Sequence, residues 1–297
     1  MRGTFRLLAG SRGPGYEFVI EKDSSMTPAT TPASNGIPLL GFGTYPLSGV
    51  EAERCVGMAL EVGIRHIDTA QMYGNEAEVG RAVAASGLPR SDCFIVTKVD
   101  PSNLDQRRFA PAVARSVEAL GGPPDLLLIH WPPADGVIDH SVEQLVAERD
   151  KGMARAIGVS NFSVAQMRRA QQIAGGSLIC NQVEFHPLLD QSRLLAAAGD
   201  TGMILTAYCP LARGKAMQTE VVKEIAARHG RPPSEIVLRW ITQQGVAAIP
   251  MTRKRENAVS NLNSLSITLT QEEIEAISGL ARRDGRIISP SWVKSWE

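Results

Sequence analysis

Eight short, nearly uninterrupted apolar runs recur along this chain: Leu39–Gly43, Ile64–Asp68, Phe94–Lys98, Leu126–His130, Arg155–Val159, Leu178–Val183, Met203–Ala207 and Val246–Pro250. Runs without polar alternation suit strands that are buried on both faces. Between them lie stretches with helical spacing, at Glu51–Val62, Ala77–Ala85, Phe109–Leu120, Val142–Lys151, Val164–Ala174, Arg193–Ala198 and Ser234–Gln243. Two further helices are predicted, Val221–His229 before the last strand and Gln271–Leu280 after it. Pro232-Pro233-Ser234-Glu235 is a helix-start signal, and Thr270 with Glu272 and Glu273 supplies a cap and an acidic first turn. Strands that alternate with helices pair in parallel through right-handed crossovers. Eight such units over about 250 residues place the chain in the α/β class as a closed (β/α)8 TIM barrel. An open doubly wound sheet satisfies the same alternation, so the position of the unusual residues has to decide.

Six runs end in, or lead directly into, a polar or aromatic residue that a buried strand does not need: Asp68, Lys98, His130, Asn161, Gln182 and Tyr208. A barrel gathers all strand C-termini at one mouth, whereas an open sheet spreads them along an edge. Each residue has an ordinary alternative. Lys98 can snorkel to water, Asp68 can begin a loop, His130 can be a satisfied core histidine, and Tyr73 can be loop packing. Together they put an acid, a base and a phenol at one place, where a buried charge must be paired. An ammonium beside a phenol favours the phenolate, and a carboxylate keeps that ammonium charged. Asp68, Tyr73, Lys98 and His130 therefore suit proton transfer to a carbonyl oxygen that is becoming an alkoxide. No His/Cys cluster with metal-ligand spacing is present, and no metal is expected.

Charge narrows the partners. Lys plus Arg and Asp plus Glu both total 31, so the chain has no bulk attraction for nucleic acid or an anionic membrane. Any phosphate-bearing ligand must meet a local basic cluster. Cys55, Cys93, Cys180 and Cys209 are too scattered for a disulfide framework, and no apolar run reaches membrane-spanning length. A cytoplasmic monomer is the expectation. Residues 1–35, rich in Gly, Ser, Thr and Pro, are expected to be a disordered extension to a single domain over 36–297, and Met26 is an alternative start.

The segment from Gly63 through Asp68, Tyr73, Gly74 and Glu76 to Gly80 resembles the aldo-keto reductase signature. Leu128-Ile129-His130-Trp131-Pro132, Gly158-Val159-Ser160-Asn161-Phe162 and Asn181-Gln182-Val183-Glu184-Phe185-His186-Pro187 are similar to further motifs of that family, in the same order. The resemblance covers roughly residues 36 to 290. It implies a barrel that binds NADPH in extended form, with NADH possible, and no G-x-G-x-x-G stands between a strand and a helix. It also implies that Asp68, Tyr73, Lys98 and His130 are catalytic. Ser160, Asn161 and Gln182 would hold the carboxamide, Tyr208 would stack on the ring, and Gly43 and Thr44 would lie beside it. Cys209, Leu211, Thr252 and Asn261 would complete the cofactor contacts.

One departure stands out. Many members carry a Lys and a Ser or Thr after the Ile-Pro of the last strand and an Arg six residues beyond the Lys. Here those positions read Met251-Thr252 and Asn257. Arg253-Lys254-Arg255 is the substitute expected to read the adenosine 2′-phosphate, because three cations at a helix start oppose its dipole unless an anion sits there. This stretch and the tail Asp284-Gly285-Arg286-Ile287-Ile288-Ser289-Pro290 are most like bacterial 2,5-diketo-gluconate reductases of the B type. Such relatives imply keto sugars, small aldehydes and dicarbonyls such as methylglyoxal as substrates. Tyr45, Trp131, Trp292 and Trp296 are the candidates for the pocket wall, with the tail folded back over an apolar surface, the substrate face or the outer helices. Two other functions stay open. Lys98 could form a Schiff base as in an aldolase, or the barrel could bind cofactor without turnover.

Overall fold

The computed structural model describes residues 33–291, 293 and 296. The expected disorder of residues 1–32, the alternative start at Met26 and the pocket residue Trp292 lie outside the described residues.

Asn35 and Gly36 both adopt left-handed φ, 48° and 76°, and turn β1 (Ala33–Ser34) back onto β2 (Ile37–Pro38). Asn-Gly takes this two-residue turn with little strain. Within the extension expected over residues 1–35, residues 33–35 thus belong to a short hairpin. Asn35 Nδ2 donates to Gly202 O at 2.7 Å, and Ile37 is fully buried among Val96, Leu126, Cys180, Ile204 and Ala247. The hairpin plugs the N-terminal end of the sheet that follows.

That sheet has eight strands: β3 (Gly41–Gly43), β4 (His66–Asp68), β5 (Phe94–Val99), β6 (Leu126–Ile129), β7 (Ala156–Ser160), β8 (Leu178–Glu184), β9 (Ile204–Tyr208) and β10 (Ala247–Ala248). All neighbours pair in parallel and in chain order. Leu40 bridges Ala248, Ala248 N donates to Leu39 O at 2.8 Å, and Gly43 N donates to Pro250 O at 3.2 Å. These bonds close the sheet into a barrel and exclude the open alternative. Each strand falls on one of the apolar runs, with β5, β7, β8 and β9 extending one residue further, to Val99, Ser160, Glu184 and Tyr208.

Helices α1 (Gly49–Glu61), α2 (Glu76–Ala85), α3 (Phe109–Leu120), α4 (Asp139–Asp150), α5 (Val164–Ile173), α6 (Ser192–Thr201), α7 (Glu220–His229) and α8 (Pro233–Gln243) precede the last strand. Helices α9 (Arg255–Asn263) and α10 (Gln271–Ser278) follow it. Thr270 caps α10 in a reciprocal box with Glu273. Helix α9 begins at the cations that the sequence places at a helix start, and its extent has no apolar stripe to mark it, because it buries only Ala258 and Asn261.

Alternation along the strands sorts side chains by direction. Leu127 and Ile129 face the helices with Val113 and Val142, while Leu126 and Leu128 face the barrel interior with Val96 and Cys180. Two residues beyond an interior position lies another interior position, nearer the C-terminal mouth. Lys98 follows Val96, His130 follows Leu128 and Gln182 follows Cys180 by that step. The space between strands is tight. A Cβ on Gly158 would stand 2.7 Å from Cys180 O and 2.8 Å from Leu128 Cδ2. Gly158→Ala is expected to cost about 1–3 kcal/mol through overpacking against backbone. Urea denaturation checks this, and an unchanged midpoint would mean that β7 and β8 can part without cost.

Candidate active site

At the C-terminal ends of the strands the barrel opens into a cavity of about 840 Å³, within the size range of small-molecule sites. Asp68, Tyr73, His130, Asn161, Gln182 and Tyr208 all line it. Of the pocket-wall residues expected from the sequence, Tyr45 and Trp131 line it too, Tyr45 largely exposed and Trp131 buried.

The floor is an ion pair. Lys98 is fully buried, and its Nζ lies 2.5 Å from Asp68 Oδ1 and 2.8 Å from Thr69 O. Gln182 Nε2 donates to the other carboxylate oxygen, Asp68 Oδ2, at 2.7 Å. The Tyr73 hydroxyl stands 3.5 Å from Lys98 Nζ. Tyr73 sits on a single 3-10 turn, Gln71–Tyr73, directly after β4. Gln71 pins this turn by donating to Ser116 Oγ at 2.9 Å and accepting from Asp100 N and Asn103 Nδ2, both at 3.0 Å. The imidazole of His130 meets the Tyr73 ring edge-on at 5.5 Å.

Burial governs the titration of these groups. It pushes the Lys98 ammonium down, and Asp68 opposes that shift. It pushes His130 well below the usual histidine range, with the Lys98 charge adding to the effect, so the imidazole is neutral. The Tyr73 phenol moves well above 10, through burial first and the Asp68 carboxylate second. The sequence reading expected Lys98 to lower this pKa. With Asp68 already engaging the ammonium, burial outweighs it and the phenol stays protonated.

Beyond His130 runs a ladder of polar groups. Ser160 Oγ donates to Gln182 O at 2.9 Å, and Asn161 Nδ2 donates to His130 O at 3.0 Å and to Ser160 Oγ at 3.1 Å. Asn161 Oδ1 accepts from the Tyr208 hydroxyl at 2.7 Å. Ser160 itself does not line the cavity and acts through these neighbours. Thr44 Oγ1 is buried at the cavity wall without a hydrogen-bond partner, so a polar ligand there would satisfy it. Gly43 lies at the barrel seam, where a Cβ would be 2.8 Å from Ile249 O. After β9, Cys209, Ala212 and Arg213 adopt left-handed φ, and this irregular turn brings Cys209, Leu211, Arg213 and Gly214 to the cavity. Arg213, Met72, Ile288 and Pro290 are cavity residues that the sequence reading did not select. They lie on loops without periodic pattern, and only Arg213, a cation beside a glycine in a β-α loop, carried a usable signal.

The remaining expected cofactor residues sit past the cavity's Pro250-Met251 edge. Thr252 Oγ1 accepts from Lys254 N at 3.1 Å and from Asn257 Nδ2 at 3.3 Å, and Asn261 is buried one turn along α9. The three cations are less bare than expected. Arg253 pairs with Glu51 at 2.8 Å and Arg255 with Glu61 at 2.7 Å, both carboxylates on α1. Among the described residues only Lys254 of the three has no carboxylate partner, so the dipole argument for an anion rests chiefly on it.

The model of the aldo/keto reductase family matches residues 39–282. The chain belongs to the aldo/keto reductase family. It is 40% identical over 258 residues to methylglyoxal reductase DkgB of Escherichia coli O157:H7, which spans 86% of this chain and 96% of the relative. An aldo-keto reductase of Mycobacterium avium (strain 104) is also 40% identical over 258 residues, 86% of this chain and 90% of that one. A crystal structure provisionally assigned as 2,5-diketo-D-gluconic acid reductase B superposes with a TM-score of 0.84 and 42% identity, over 87% of this chain and 93% of the other. The protein is an NAD(P)H-dependent oxidoreductase that reduces small carbonyl compounds, and its resemblance to diketogluconate reductases of the B type holds.

The buried pair gives this reductase a measurable signature. Asp68→Asn strands the Lys98 ammonium and is expected to cost about 3–5 kcal/mol, while the double variant Asp68→Asn with Lys98→Met recovers much of that loss. Chemical denaturation of both variants checks it, and equal stabilities would mean the charge is relieved elsewhere.

Proposed function

We propose that this reductase uses Tyr73 as proton donor and NADPH as preferred cofactor, with keto sugars such as 2,5-diketo-gluconate and dicarbonyls such as methylglyoxal as substrates. The carrying observation is the Tyr73 phenol, lining the cavity with a buried ammonium 3.5 Å from its oxygen and the His130 imidazole edge-on to its ring. The bound nicotinamide supplies the hydride. Tyr73 hands its proton to the carbonyl oxygen, and the phenolate left behind faces Lys98 Nζ at 3.5 Å. Asp68 holds Lys98 in place, and neutral His130 orients the carbonyl. Asn161 and Gln182, braced by Ser160, suit the carboxamide, and Tyr208 suits the ring face. Gly43, Thr44, Cys209, Leu211 and Arg213 line the remainder of the groove. Lys254, with Arg253, Arg255, Thr252 and Asn261, would contact the 2′-phosphate once Glu51 and Glu61 give way; exposed ion pairs are worth only about 0–1 kcal/mol.

Two other readings lose support. Lys98 does not line the cavity, and its three donors meet Asp68, Thr69 O and the Tyr73 hydroxyl, which leaves it out of reach of a carbonyl carbon for Schiff-base chemistry. A silent binding barrel would have no use for the buried pair behind Tyr73. The substrate names come from the relatives, and Tyr45, Trp131 and the tail would form the substrate wall. The four cysteines are free, and no helix among the described residues is long and apolar enough to cross a membrane. A cytoplasmic monomer built on one barrel domain suits both.

Tyr73→Phe is expected to lower kcat about 10²–10⁴-fold while cofactor binding, followed by fluorescence quenching, stays intact. Substantial residual turnover would remove Tyr73 from the donor role. The raised Tyr73 and lowered His130 pKa values keep phenol protonated and imidazole neutral together, so kcat for reduction should be flat from about pH 6 to 9; a basic limb below pH 9 in rate profiles would mean the phenol ionises early. Replacing Arg253, Lys254 and Arg255 by Ala should weaken NADPH binding at least about tenfold more than NADH; equal losses would mean that these cations do not read the 2′-phosphate.

A further inference from the structure

Glu184 belongs to a sequence motif that the mechanism leaves unused, yet its side chain is wholly buried. It ends β8 one interior step above Gln182, on the face that lines the mouth. At this height a bare carboxylate would look into the cavity. Instead both oxygens are occupied. Oε1 accepts from Ile287 N at 2.7 Å and His186 Nε2 at 2.8 Å, and Oε2 accepts from Ile288 N at 2.8 Å. Ile288 and Pro290 line the cavity. The chain arrives there along the loop after β8, with Arg282 N donating to Leu188 O at 3.2 Å and Asp190 N to Arg282 O at 3.0 Å. It passes so close that a Cβ on Gly285 would overlap Leu188 O. Arg286 lays its guanidinium 3.6 Å from the centre of the Trp296 ring, and Trp296 meets Trp131 of the cavity wall edge-on at 5.9 Å.

We propose that Glu184 is a positioning residue for substrate specificity: its carboxylate, through the amides of Ile287 and Ile288, sets the C-terminal tail as the cavity wall on the substrate side. Two bonds from one buried carboxylate to consecutive amides fix both the height and the rotation of the tail. Gln182 shares β8 with Glu184 but bonds Asp68, and the other cofactor contacts lie on other strands and loops, so releasing the latch alters substrate binding and leaves cofactor binding alone. A six-carbon keto acid, reaching further from the reacting carbonyl than methylglyoxal, feels the tail more.

The test uses the full chain with Glu184→Gln, Ile287→Pro and the double variant. The glutamine loses one acceptor, and the proline removes one donor without touching Glu184. KM for 2,5-diketo-gluconate is expected to rise about tenfold and for methylglyoxal less than about threefold, with kcat and NADPH quenching within about twofold. The double variant should be no worse than either single one, since both cut the same contact. Hydrogen–deuterium exchange at the Ile288 amide should quicken in every variant relative to the parent protein; this readout needs no substrate and stands even if neither carbonyl is turned over. A tail that stays protected, a KM that rises equally for both substrates, additive effects, or weakened NADPH binding would each overturn the proposal. If Glu184→Gln does not fold, Ile287→Pro alone carries the same two measurements.

Discussion

Bonding of β3 to β10 turns alternate residues of every strand into one narrow interior, and this closure is what the chemistry of the molecule rests on. Lower levels of that interior take apolar and small groups, Val96, Leu128, Gly158 and Cys180. The last level before the mouth takes Asp68, Lys98 and Gln182. A free ammonium at that depth would cost several kcal/mol or lose its proton. Asp68 prevents both, and Gln182 and Thr69 O use the bonding capacity that is left. Because Lys98 is fully buried, its charge acts on the Tyr73 oxygen 3.5 Å away with little screening by solvent.

Burial works on the three groups around Tyr73 in different directions, to one end. It keeps the phenol protonated, the imidazole neutral and the ammonium dependent on its carboxylate. A proton donor that holds its proton until a neighbouring oxygen becomes strongly basic is suited to hydride-driven reduction, where the alkoxide is the stronger base. The tyrosine is placed by a one-turn helix whose position depends on Gln71 bridging two loops.

The mouth is built by different rules. Its walls come from loops and the tail, where Cys209, Ala212 and Arg213 take left-handed backbone and Ile288 hangs from a buried carboxylate. Arg253 and Arg255, which a linear reading leaves as bare cations, find carboxylates on α1 almost two hundred residues away. An anion approaching these cations has to compete with Glu51 and Glu61.

By itself the sequence determined the class of fold and most of its chemistry. Eight unpatterned apolar runs demand strands hidden on both faces, and a polar residue closing each of six runs has meaning only if those ends converge. Local signals carried the cap at Thr270 and the start of α8, because side chain and backbone there meet within a few residues. Only the start of α9 was legible, because so few of its residues are buried that no apolar stripe marks its length, and the hairpin at Asn35-Gly36 was hidden in a stretch of loop-like composition. Burial, which pushes the Tyr73 phenol up, was not legible, since desolvation depends on everything that surrounds the ring and not on the nearest charge. Only the tertiary structure decided which partners the cations of α9 take, what occupies Glu184 and where the tail meets Trp131, because those contacts join segments that no local spacing relates.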